Sequence, residues 1–116
     1  MLTAAFASRQ HWVQADGTDE NLAVADWQVS HAASQAGFAD VAVAFATAAV
    51  ERAESASLPL WLQASTHEGL ARAFAAAGDR PGYEQEAARA RELLARVPDD
   101  DDRALIEGQL ASIPAP

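Results

Sequence analysis

Two segments of this chain repeat one helix–turn–helix pattern, and each sets small residues at helical spacing. In the first, Trp27 and Val29 precede Gly37, and Ala42, Ala46 and Ala49 follow the glycine at +5, +9 and +12. In the second, Leu70, Ala71 and Phe74 lead to Gly78 and Asp79, and Ala87, Ala88 and Ala90 follow. Small residues at steps of three and four leave a smooth stripe on one helix face, against which another helix can lie close. A chain so built is expected to stack helices in pairs.

Composition agrees with that expectation. Of 116 residues 30 are alanine, so the 50% hydrophobic content overstates the supply of large apolar side chains. The core should therefore be thin and made by close helix contact. Alanine and arginine favour helix, and runs of β-branched residues of strand length are missing, which predicts an all-α chain. The length suits a single domain over 1–116. With no cysteine, disulfides and thiolate chemistry are excluded.

Charge narrows the partners. Eight arginines, no lysine and 17 acids give a net charge of −9. Nucleic-acid binding needs a basic surface that displaces counterions, so no nucleic-acid partner is expected, and anionic membranes are disfavoured alike. The longest apolar run, Val41–Val50, is about half what a membrane span needs. Met1–Ala7 is apolar but lacks a basic leader, so a cytoplasmic location is expected.

The expected elements follow from caps and breaks. Helix 1 should run from about Leu2 to Ala15, ended by Asp16–Gly17. Thr18 should cap helix 2, with Asp19 and Glu20 in its first turn, and Gly37 should close it after Ala36. Helix 3 should span about Ala39–Ser55, and Ser57–Pro59 should form a break and restart. Helix 4 should extend to Ala77, closed by Gly78. Asp79–Pro81 should open helix 5, which stops before Pro98. Asp99 should cap helix 6, with Leu105, Ile106, Leu110 and Ile113 along one face. Short loops imply antiparallel neighbours.

The two units resemble tetratricopeptide-like repeats. Residues 27–49 match the small and aromatic positions of that family. The second unit matches through Leu70, Ala71, Phe74, Gly78 and Asp79 and then drifts at Arg80–Tyr83, with His67 where tryptophan is usual. The 41-residue offset between Gly37 and Gly78 exceeds the repeat length of about 34. The chain is also similar to small helical proteins of high-GC bacteria through His11–Trp12, Asp26–Ser30, Glu68–Ala73 and Asp102–Pro114, a resemblance that carries no activity with it. The resemblance implies a right-handed α-α superhelix of about six antiparallel helices: helices 2/3 and 4/5 as two repeats, helices 1 and 6 as caps.

If the repeat alignment holds, the leading helix of each unit lines a concave groove. Its residues would be Val24, Trp27, His31 and Ser34 on helix 2 and Ser65, Glu68 and Arg72 on helix 4. Trp27/His31 and Glu68/Arg72 are i,i+4 pairs, so each shares a face. Leu22, Val29 and Ala33, and Leu62, Leu70 and Phe74, suit the core instead. The competing reading makes Glu68–Arg72 an ordinary helical ion pair with His31 resting on Trp27.

Other chemistries find less support. His11, His31 and His67 lie on three helices without the paired spacing of helical metal sites, and His67 falls on the core side, so no metal is assigned. Asp99–Asp102 lacks the order of a calcium loop and suits a helix start. Ser30–His31 and Ser65–His67 lack a nucleophile elbow, and no phosphate loop or dinucleotide fingerprint is present. Trp12, Trp27 and Trp61 could serve as ligand-stacking rings, but in a core short of large side chains they are expected to fill volume. The expected function is thus a non-catalytic module, without cofactor, that binds a peptide segment or another protein, including a second copy of itself. The alternative is a small-ligand binding protein or hydrolase with its site around Trp27, His31, Glu68 and Arg72.

Overall fold

Helix ends set the architecture. The computed structural model describes residues 2–14 and 17–116, so the expected helix end at Ala15–Asp16 lies outside the described residues. Six helices and no strands are found among them: α1 (Leu2–Gln14), α2 (Asp19–Ala36), α3 (Ala39–Ser55), α4 (Leu60–Ala76), α5 (Arg80–Leu94) and α6 (Asp100–Ala111). None is long and apolar enough to cross a membrane.

Side-chain caps start three of these helices. Thr18 Oγ1 accepts the N–H of Asn21 at 3.1 Å, Asp79 Oδ1 that of Gly82 at 3.0 Å, and Asp99 Oδ1 that of Asp102 at 2.9 Å. Each bond satisfies one donor that a helix start leaves without an intrahelical partner. Three helices also end in the same way. Gly37, Ser57 and Gly78 take positive φ, and the next N–H in each case reaches back to the carbonyl five residues earlier: Phe38 to Ala33, Leu58 to Ala53 and Asp79 to Phe74, all at 2.9 Å. This left-handed closure turns the chain sharply into the next helix and suits glycine, which has no Cβ to clash. Ser57 adopts it without that freedom.

Alanine governs how the helices meet. In α3, Ala42, Ala46, Ala49 and Ala53 are all buried, a stripe with steps of four, three and four that lies against α2 and α4. One cluster joins Ala33, Ala42, Ala46, Leu70 and Ala73, with Leu2, Val41 and Phe74 packed on it. A larger one joins Ala64, Ala71, Ala87 and Ala90 to Leu93, Leu94, Val97, Ile106, Leu110 and Ile113. The α6 face expected from Ile106, Leu110 and Ile113 is buried, whereas Leu105 stays exposed.

The centre of the molecule is α4, which touches α2, α3, α5 and α6. Its residues from Thr66 to Ala71 form an unbroken buried run, as a helix enclosed on all sides requires. α2 and α4 are neighbours, as are α4 and α6, with α3 wedged against α2 and α4 and α5 against α4 and α6. These three helices begin at residues 19, 60 and 100, steps of 41 and 40. α6 thus continues the same progression. The thinnest dimension, 22 Å, is that of two helix layers, each about 10–12 Å across.

Gly69 permits the approach of α2 to α4. A Cβ built there would lie 2.7 Å from Cδ1 and 3.0 Å from Nε1 of Trp27, so the indole rests directly on the glycine backbone. Gly69→Ala should therefore destabilise the fold by about 1–3 kcal/mol through overpacking, despite a helix-propensity gain of about 1 kcal/mol. In a Trp27→Ala background the clash is gone and only the gain remains. Urea denaturation of the four-member cycle checks this change of sign.

Candidate functional site

The face that α2 and α4 share beside α6 is divided into an open half and a closed half. The open half is an apolar cavity of about 310 Å³ between α2, α4 and α6. Val24 and Trp27 come from α2, Trp61, Leu62 and Ser65 from α4, and Asp102, Leu105, Ile106 and Gln109 from α6. The helical steps 24/27, 61/62/65 and 102/105/106/109 each present one face to it. Two large apolar side chains remain in solvent there, with Trp61 38% and Leu105 63% exposed. Folding has not found cover for them.

The closed half is held by a buried ion pair. Glu68 is 1% exposed, and its Oε1 accepts from Arg72 Nε at 3.1 Å and Nη2 at 2.7 Å. Arg72 Nη2 also donates to the carbonyl of Gln109 and to Ser112 Oγ, each at 3.0 Å. The pair therefore ties α4 to the end of α6 and exceeds the ordinary surface contact of an i,i+4 spacing. Removing one partner of a buried pair strands the other charge.

His31 does not line the cavity and borders instead a shallow depression with Ala4, Ala5 and Ser8 of α1. Its ring stacks on Trp27 with centroids 5.3 Å apart, and the Gln35 side-chain amide donates to its Nε2 at 3.3 Å. Accepting that bond suits a neutral imidazole. Burial first, and then the Arg72 charge, lower the His31 pKa from the ordinary 6.5, while Glu68 opposes them. Trp27, His31 and Arg72 accordingly share one side of the molecule. Ser34 and Arg72 border a shallow depression beside Pro114, and the Ser34 hydroxyl and the Trp27 N–H are buried without a hydrogen-bond partner among the described residues.

Of the residues expected to line a groove, Val24, Trp27 and Ser65 line the cavity. Glu68 does not reach it as a free group, because α6 closes over its ion pair. Sequence reasoning did not assign Trp61, Asp102, Leu105 or Gln109 to the groove. Trp61 was expected to fill volume, yet it stands at the rim. No local signal separated Leu105 from Ile106, since the adjacent Leu93 and Leu94 of α5 are both buried.

His67 is a core histidine with polar partners. Only 5% exposed, it meets Glu86 Oε2 through Nδ1 at 2.6 Å and Glu54 Oε1 through Nε2 at 2.7 Å, linking α4 to α5 and α3. Both ring nitrogens are taken. The three histidines are not gathered, and among the described residues no three His, Asp or Glu side chains could hold a metal ion. Ser30 turns away from His31 and donates to the Ala42 carbonyl at 2.8 Å, pinning α2 to α3. Within Asp99–Asp102, Asp99 caps α6, Asp100 pairs with Arg103, and Asp102 lines the cavity. No family model, curated protein or solved structure matches the chain.

Two outcomes are expected. Glu68→Ala should cost about 3 kcal/mol in chemical denaturation, since Arg72 is left partly buried without its carboxylate. The His31 titration followed by NMR should have its midpoint below 6.5, and Arg72→Gln should raise it. The sign for stability follows: the unfolded chain takes up the His31 proton first as pH falls. This contribution is therefore constant above the unfolded value and is lost as pH falls from there through the lower folded value.

Proposed function

We propose that this chain is a non-catalytic interaction module of tetratricopeptide-like architecture, which holds a peptide segment of a partner protein in a concave face lined by α2, α4 and α6. The architecture is supported by the order of contacts: each leading helix neighbours the next, and each following helix wedges against both. The common step of 41 and 40 residues supports a repeated unit, its length set by helices of 18 and 17 residues.

The observation that carries the functional reading is the apolar cavity with Trp61 and Leu105 exposed at its edge. A volume of about 310 Å³ is at the small end of binding pockets and suits one large apolar side chain with its neighbours. Aromatic walls that are already rigid give contact area at low entropic cost. A hydrolytic alternative around Trp27, His31, Glu68 and Arg72 is weaker. Glu68 and Arg72 satisfy each other, and a buried carboxylate held by its own arginine is not a free acid or base.

Selection from a displayed random-peptide library with the full chain, followed by binding in solution, tests this reading. Trp27 and Trp61 line the cavity, so tryptophan fluorescence should report occupancy. Leu105→Asp should weaken selected peptides at least tenfold while melting changes by no more than about 0.5 kcal/mol, as for an exposed position. Failure to select any peptide, or binding indifferent to Leu105→Asp, overturns the proposal. A concentration-dependent dimer that Leu105→Asp abolishes replaces the foreign segment with a second copy of the chain.

A further inference from the structure

We infer that the segment held in this cavity carries a lysine or arginine beside its apolar anchor, with the cation against Asp102 and the anchor between Trp27 and Trp61. The inference rests on the peptide-binding reading above and specifies the chemistry of the partner.

The wall of the cavity is almost wholly apolar, and among the described residues that line it Asp102 is the one acidic residue, with no basic residue beside it. It is partly buried, and no arginine of the chain forms an ion pair with it among the described residues. Its neighbours are already engaged: Asp99 accepts the Asp102 N–H, and Asp100 takes Arg103. The start of α6 favours a negative charge at this position. A carboxylate so placed lacks only a cation.

The surroundings repel an acidic segment and give a neutral one no ionic partner. Asp99 and Asp101 add to the field of Asp102 while Arg103 offsets Asp100, the chain contains no lysine, and its net charge is −9. An acidic peptide would meet like charges at the mouth of the cavity. A neutral peptide would cover part of the carboxylate without replacing its water. A basic one forms a charge-assisted hydrogen bond at the rim of a cavity whose wall also carries the Trp61 indole, and an aromatic face attracts positive charge.

Three synthetic peptides of equal length, alternating leucine with lysine, with glutamine or with glutamate, serve as probes, read by tryptophan fluorescence on the full chain. The leucine–lysine peptide should bind, and Asp102→Asn should weaken it about tenfold, the size expected for one charge-assisted bond. Asp102→Ser, which also suits a helix start, should do the same, and melting curves confirm that both variants fold. Glu92→Gln makes the same charge change on α5, away from the cavity, and should leave affinity within about twofold. Equal losses with Asp102→Asn and Glu92→Gln reveal general attraction to an acidic protein and overturn the inference. A leucine–glutamine or leucine–glutamate peptide that binds as tightly, and is lost with Leu105→Asp, overturns the inference but leaves the module reading intact. If no peptide binds, both fall.

Discussion

The rest of the molecule depends on the contact between the Trp27 indole and the backbone of Gly69. A tryptophan would normally hold two helices apart. Here the missing Cβ lets the ring sink onto α4, so α2 and α4 become neighbours. That neighbourhood leaves α3 a place on one side of both helices and sets one wall of the cavity on the other. His31 then stacks on the same ring, one turn further along α2. A side chain at residue 69 would alter the helix spacing and with it the shape of the site.

Alanine gives this fold close packing but little apolar volume, and buried polar ties supply much of the specificity of contact. Asp26, 1% exposed, accepts from Arg9 on α1 at 2.5 Å and faces Arg52 of α3 at 3.9 Å. His67 joins α4 to α3 and α5, and Arg72 joins α4 to α6. Smooth alanine faces slide easily, since one methyl group resembles the next. Directional bonds at fixed points select one register. Buried pairs of this kind add little net stability, because desolvation offsets most of their attraction.

Much of the helical framework was legible because helix ends are local. Thr18, Asp79 and Asp99 cap where side-chain chemistry predicts, and Gly37 and Gly78 close helices within one turn. Part of the site was legible for the same reason: Val24 and Trp27 share a helix face whatever lies opposite. Glu68 was not. Its i,i+4 partner was evident, but its burial results from Gln109 and Ser112 settling over Arg72, 37 and 40 residues later in the chain. The carboxylates that flank His67 lie 13 and 19 residues away and were equally beyond local reasoning.

The amino-acid sequence alone determined that the chain is helical, where its helices start and stop, and which stripes are smooth enough to meet. Those are matters of backbone geometry and side-chain size within a few turns. Tertiary structure decided which polar groups are hidden and which apolar ones remain uncovered. The placement of α6 buries Glu68 and leaves Trp61, Asp102 and Leu105 around one opening. That outcome depends on how six rods share a limited apolar surface, and no single segment specifies it.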